Sequence, residues 1–259
     1  VRAVFTFSWS VVLDALHRKM FYVILALTVI LILLIPLLPS AEVGVQLGLM
    51  REAALGLTSI MAFLLAVILG STIIPGEIGR RTIYNTLSKP VSRWEYYLGK
   101  FLGVMVVLAI TLLLTLAILL LFIAAKFGLF NPGLAKALFT IFLEAAVLAS
   151  AAMVISVYLS PLVCVFLTGL FYVVCHVKGD FLYRAMTGSG NSPLLRGLAG
   201  ISYYLLPNLE RLNINETIAH GESAFKVGAM ELVLLTGLAL AFTAVMLYIG
   251  GFIFNRRDL

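Results

Sequence analysis

Six apolar runs, at residues 20–38, 53–74, 101–125, 137–159, 161–177 and 232–254, constrain this chain more than any other feature. A helix needs about 17–25 apolar residues to cross the hydrocarbon of a bilayer, and each run meets or approaches that length, the fifth being the shortest. Only 12% of the 259 residues are charged, 62% are hydrophobic, and the mean hydropathy is +1.11. A water-soluble domain carries about twice that charged fraction, so there is too little polar surface here to cover a globule. The sequence predicts an all-α integral membrane protein, a single transmembrane domain over residues 1–259 with six spans.

The net charge of +6 comes mainly from Lys and Arg beside the apolar runs. That placement fits anchoring at anionic headgroups and gives no reason to expect nucleic acid as a partner. An even number of spans puts both termini on one side of the membrane. Arg2, Arg18, Lys19, Arg80, Arg81, Lys89, Arg93, Lys100, Arg256 and Arg257 would share that side. Arg51, Lys126 and Lys136 would lie on the other, in short loops, with five more basic residues spread through 178–228. The denser set marks the cytoplasmic side, so both termini are expected in the cytoplasm. No short apolar core with a small-residue cleavage site is evident near Val1, so no cleavable signal peptide is expected.

Residues 1–19, "VRAVFTFSWSVVLDALHRK", are too interrupted to cross a membrane. Their apolar body, Trp9 and basic boundary predict an elbow helix lying in the cytoplasmic interface, the alternative being an early start to the first span. Residues 178–228 mix "TGSGNSP", a turn or flexible loop, with "LLRGLAGISYYLLP", apolar but too short to span. They predict a partly helical, re-entrant or interfacial external region.

Catalytic and metal-binding patterns are missing from the sequence. It contains no H-E-x-x-H, no G-x-S-x-G, no Cys/His clusters at metal spacing and no G-x-x-x-x-G-K-[ST] phosphate loop. No metal site, catalytic residue or bound cofactor is therefore expected. Cys164 and Cys175 fall in one apolar run, roughly 16 Å apart along a helix, too far for a disulfide; they read as small buried side chains. Glu144 is the one carboxylate well inside a predicted span. Burial of its charge is costly, which calls for a partner or a proton. If spans four and five are antiparallel neighbours, His176 lies at a similar depth, and a Glu144–His176 contact becomes geometrically open. Such a pair would either line a polar part of a translocation path or form a structural helix-to-helix hydrogen bond.

Between the second and third runs stands "GEIGRRTIYNTLSKPVSRWEYYLGKF", residues 76–101. Gly76 and Gly79 can close the second span. "RRTIYNTLS" can form about two helical turns with Ile83 and Leu87 on one side, and Pro90 breaks that helix at Lys89. Ser92 then sits three residues before Glu95, the capping-box spacing, and opens a helix running into the third span. Trp94, Tyr96 and Tyr97 suit the headgroup layer. The product is a rigid helix–turn–helix, either a mechanical coupler or a basic loop that fixes topology.

This segment resembles the hallmark of permease subunits of type-2 ATP-binding-cassette (ABC) exporters. That family typically has an acidic residue ending the second span, then a Gly-(x)-Thr-φ-x-x-Leu-Leu/Ser-x-Pro-φ-(Ser/Thr)-Arg pattern, and Gly-Lys opening the third span. Here these are Glu77, Gly79, Thr82, Leu87, Ser88, Lys89, Pro90, Val91, Ser92, Arg93, Gly99 and Lys100, with Arg80 and Arg81 added between the Gly and the Thr. "LDALHRKMFYVIL" resembles the family's elbow and first span, and "YYLLPNLERLNI" and "FNRRDL" its closing segments. The closest likeness is to permeases associated with multicopper-enzyme maturation.

The resemblance implies a homodimer or heterodimer of permease subunits in a prokaryotic cytoplasmic (inner) membrane, in contact with membrane lipids. Two copies of a separate ATPase subunit would bind ATP and Mg2+, and this chain would bind neither. Glu77, Arg80, Arg81, Thr82, Ile83, Leu87, Ser88, Lys89, Pro90 and Arg93 would form the coupling segment that meets the ATPase. Two other classes remain open on the residues alone: an intramembrane lipid-processing enzyme built on Glu144 and His176, and a scaffold docking a cytoplasmic complex.

Overall fold

The computed structural model describes residues 2–34, 43–79, 92–127, 133–178, 183–187, 206–212 and 229–257, with isolated positions between 192 and 203. Every regular element among them is helical. In chain order these are α1 (Arg2–His17), α2 (Lys19–Leu34), α3 (Val43–Gly79), α4 (Arg93–Phe127), α5 (Gly133–Ser156), α6 (Pro161–Val177), the short α7 (Tyr183–Thr187) and α8 (Ala229–Arg256), with a 3-10 turn at Glu210–Leu212.

Four helices, α3, α4, α5 and α8, are long and apolar enough to cross a membrane. The α1–α2 pair, bent by 64°, makes a fifth if it is counted as one span. At 17 residues α6 is apolar but short, about 25 Å of helix against a hydrocarbon layer of about 30 Å. By contrast α3 has 37 residues and α4 has 35, so each runs roughly 20 Å beyond what the hydrocarbon requires. Arg51, Lys126 and Lys136, expected in loops, instead belong to α3, α4 and α5, and Arg51 is buried among helices. A charged residue at the head of an apolar run reads as loop in a linear sequence, yet it extends the helix where neighbouring helices cover it.

The centre of the bundle is α5, which packs against α3, α4, α6 and α8. Its composition explains the position. Ala137, Ala145, Ala146, Ala149, Ala151 and Ala152 are all buried and let neighbouring backbones come close. At one crossing, a Cβ added to Gly70 of α3 would lie 2.7 Å from Cβ of Ala152, so only glycine fits. Six buried hydroxyls are satisfied within their own helices: Thr58, Thr111, Thr115, Thr140, Ser150 and Thr168 each donate to a carbonyl three or four residues earlier. Cys164 and Cys175 are buried free thiols.

The segment expected to be an elbow is helical over Arg2–His17 and lies along the start of α4. Gly99 and Gly103, four apart on α4, make this approach possible. A Cβ on Gly99 would stand 2.7 Å from that of Phe7, and one on Gly103 would stand 2.5 Å from that of Val11. The opposite face of α1 carries Phe5, Trp9, Leu13 and Leu16, all exposed. One face of α1 therefore belongs to the bundle, and the other, also apolar, to its surroundings.

Candidate functional site

The end of the bundle where α3 stops and α4 starts concentrates the polar chemistry. Glu77, in the last turn of α3, accepts a hydrogen bond from the Tyr96 hydroxyl at 2.5 Å and forms an ion pair with Lys100, both on α4. The Lys100 ammonium also donates to Ser10 Oγ of α1 at 3.1 Å and lies 5.5 Å from the centre of the Tyr96 ring. Ser8 Oγ donates to the Gly99 carbonyl at 2.9 Å, a second α1–α4 link. Lys100 is only 3% exposed at its side chain, against 20% for Glu77. A buried ammonium without its carboxylate would carry a large desolvation penalty, so the pair acts as a unit.

Tyr96 is the hub of this junction. Its ring stacks on Phe254 of α8 at 5.6 Å and meets Phe7 of α1 edge-on at 5.4 Å. Tyr96 and Tyr97 are fully buried in the protein, which corrects the expectation that they face headgroups. The reason lies on α8. Any Cβ on Gly250 would overlap the Tyr97 hydroxyl, and any on Gly251 would overlap the Trp94 ring, so the Gly250–Gly251 pair is the slot into which α4 packs.

The capping box expected at the start of α4 is present. The backbone amide of Glu95 donates to Ser92 Oγ at 3.1 Å, and the amide of Ser92 donates to Glu95 Oε2 at 3.3 Å. Arg93 reaches across to the other end of the sequence. Its guanidinium donates to the carbonyls of Phe254, Asn255 and Arg257 at 3.4, 3.3 and 2.6 Å, at the end of α8 where a helix's last carbonyls run short of helical donors. Arg257 in turn donates to the Val157 carbonyl just past α5. The two ends of the segment 80–91 are thus tied separately, Glu77 to α1 and α4, Arg93 to α8. Arg80, Arg81, Thr82, Ile83, Leu87, Ser88, Lys89 and Pro90 lie outside the described residues. The sequence singles out Glu77 and Arg93 as contacts of an ATPase and gives no sign of their bonds within the bundle, nor of the parts of Ser10, Tyr96, Arg257 and the two glycines of α8. The Gly99-x-x-x-Gly103 spacing was the available sign that another helix crosses there.

The second expected constellation comes together deeper in the bundle. Glu144 of α5 and His176 of α6 face each other with Oε1 and Nδ1 3.8 Å apart, beyond hydrogen-bond range, and neither atom has a hydrogen-bond partner. Glu144 is 4% exposed at its side chain, and the His176 ring stands 4.5 Å from that of Tyr172. Beside Glu144 a crevice of about 140 Å3, lined by Ser59, Phe63 and Leu148 among others, is too narrow for a water-sized sphere. Past the end of α6, the Lys178 ammonium donates to the Leu206 carbonyl, and burial holds this amine below its ordinary pKa. Among the described residues no group of three or more His, Cys, Asp and Glu side chains converges as a metal site would require.

Residues 9–259 match a family model described as "ABC-2 family transporter protein". The search of curated proteins returned no match to the chain.

Proposed function

The chain belongs to the ABC-2 transporter family as an integral membrane permease, and from that membership we propose that it is the translocating subunit of an ABC exporter driven by a separate ATPase. Permeases of this family are generally the non-catalytic membrane component. On this reading two permease subunits pair, each carries six spans and an elbow helix, and both termini lie in the cytoplasm of a prokaryote. Its nearest subgroup would be the multicopper-enzyme-maturation-like permeases. ATP and Mg2+ belong to two ATPase copies, which seat residues 80–91 and drive them together when nucleotide binds.

The observation that carries the proposal is the double anchoring of that segment. A push on residues 80–91 enters the bundle at Glu77 and at Arg93. From Glu77 it passes through Lys100 and Tyr96 to α1 and α4, and from Arg93 to the end of α8. Buried, hydrogen-bonded junctions of this kind transmit displacement because close-packed interiors deform little. Glu144 and His176 would line a polar part of the translocation path, closed in this conformation. The reading is tested by purifying the tagged permease from its native membrane: an ATPase that accompanies it, with ATP turnover absent from the lone chain, is the expected result. Turnover by the lone chain would overturn it.

A further inference from the structure

Between α1, α3 and α4 lies a second cavity, of about 570 Å3, whose lining includes Ser10, Asp14, His17, Arg18, Glu77 and Lys100. Its floor is self-satisfied, because Lys100 is bonded to Glu77 and Ser10. Its wall is different. Asp14 and Arg18 are four residues apart at the end of α1, the spacing at which a helix commonly pairs opposite charges. They form no ion pair with one another. The Arg18 guanidinium instead donates to Thr72 Oγ1 of α3 at 2.7 Å, which fixes it across the cavity and leaves its other donors available. Nδ1 of His17 is engaged with the Leu13 carbonyl at 2.7 Å, so Nε2 remains for another partner.

We propose that this cavity binds the headgroup of an aminophospholipid of the phosphatidylethanolamine type, with the phosphate on Arg18 and the primary ammonium on Asp14. Three observations carry the choice. With His17 neutral, the formal charges of Asp14, Glu77, Arg18 and Lys100 cancel, so a ligand with net negative charge gains no field to attract it, whereas one with separated opposite charges finds a partner for each. Asp14 accepts hydrogen bonds, which a primary ammonium can donate and a quaternary one cannot. The helix that supplies these groups exposes Phe5, Trp9, Leu13 and Leu16 on its outer face, and Tyr22 and Val23 follow exposed on α2. A headgroup seated here can therefore leave its acyl chains on apolar surface, so the membrane is the source and free solutes are not. Such a lipid would cross-link α1 to α3 at the level of the Glu77–Lys100 junction. The inference rests on these three helices alone and not on the presence of an ATPase.

The experiment is native mass spectrometry of the purified full chain with defined lipids. Phosphatidylethanolamine is expected to bind about tenfold more tightly than phosphatidylcholine or phosphatidylglycerol, a margin of one charge-assisted hydrogen bond. Asp14→Asn, at an exposed isosteric position, should abolish the preference for ethanolamine over choline while the chain stays folded by size-exclusion chromatography. Arg18→Gln should weaken binding of all three lipids. Equal binding of the three by the unaltered chain, a preference for phosphatidylglycerol, or an Asp14→Asn chain that keeps the ethanolamine preference would each overturn the proposal. Soluble phosphoethanolamine that binds as tightly as the lipid would overturn the membrane as source.

Discussion

The guanidinium of Arg93, the first residue of α4, donates to the carbonyl oxygen of Arg257 at 2.6 Å and so joins the middle of the chain to its far end. Removal of this link should loosen the end of α8 and little else. Arg93→Gln is expected to cost about 1–2 kcal/mol, at the low end because the guanidinium is partly exposed, and to speed amide exchange over residues 250–257. Hydrogen exchange measured by mass spectrometry checks this; unchanged protection there would show that the end of α8 is held by its packing alone.

Glu77 and Lys100 should behave as one unit. Lys100→Met leaves a partly exposed carboxylate that still accepts from the Tyr96 hydroxyl and that water can reach, whereas Glu77→Gln strands a buried ammonium and should cost about 3–5 kcal/mol. The double variant Glu77→Gln/Lys100→Met is expected to recover much of that loss. Thermal unfolding of the four proteins in one detergent gives the cycle; additive effects of the two substitutions would contradict a coupled pair.

The glycines of the two closest crossings should tolerate no side chain. Gly250→Val drives a branched side chain into the Tyr97 hydroxyl, and Gly103→Val drives one into Val11 and the Ser8 carbonyl. Each should destabilise by about 1–3 kcal/mol through overpacking. The open positions Gly56 and Gly237, which would meet nothing within 4 Å, serve as controls and should accept alanine without loss. Melting temperatures of the four variants decide the matter.

For Glu144 the proposed path and a purely structural contact predict different outcomes. As part of the path, Glu144→Gln should lower the stimulation of ATP turnover by transported cargo several-fold while leaving basal turnover and melting temperature near those of the unaltered complex. A change in melting temperature with stimulation intact would assign Glu144 and His176 to helix packing.

Local chemistry was the legible part of this molecule. Ser92 and Glu95 announce a helix start because both halves of a capping box lie within four residues, and α6 begins at Pro161 and ends at Val177, the limits of its apolar run. The nearness of Glu144 and His176 followed from their depth along two adjacent runs. Burial of Tyr96 and Tyr97 did not follow from anything local, since an aromatic at a helix start suits headgroups and protein interior equally. What decides it is Gly250 against Tyr97 and Phe254 against Tyr96, some 150 positions away. The same distance hides the Arg93 contacts with residues 254–257. The span count was blurred by length: apolar runs measure hydrocarbon crossing, while α3 and α4 continue through polar residues well past it.

The account turns on residues 80–91 as the handle by which an ATPase moves this bundle. The most direct measurement is ATP turnover and ATPase co-purification for a complex carrying Ile83→Asp and Leu87→Asp, compared with the unaltered complex. The account predicts that the variant permease folds with an unchanged melting temperature but loses the ATPase, or keeps it with turnover no longer coupled to the permease. Full retention of coupled turnover in the double variant would contradict it.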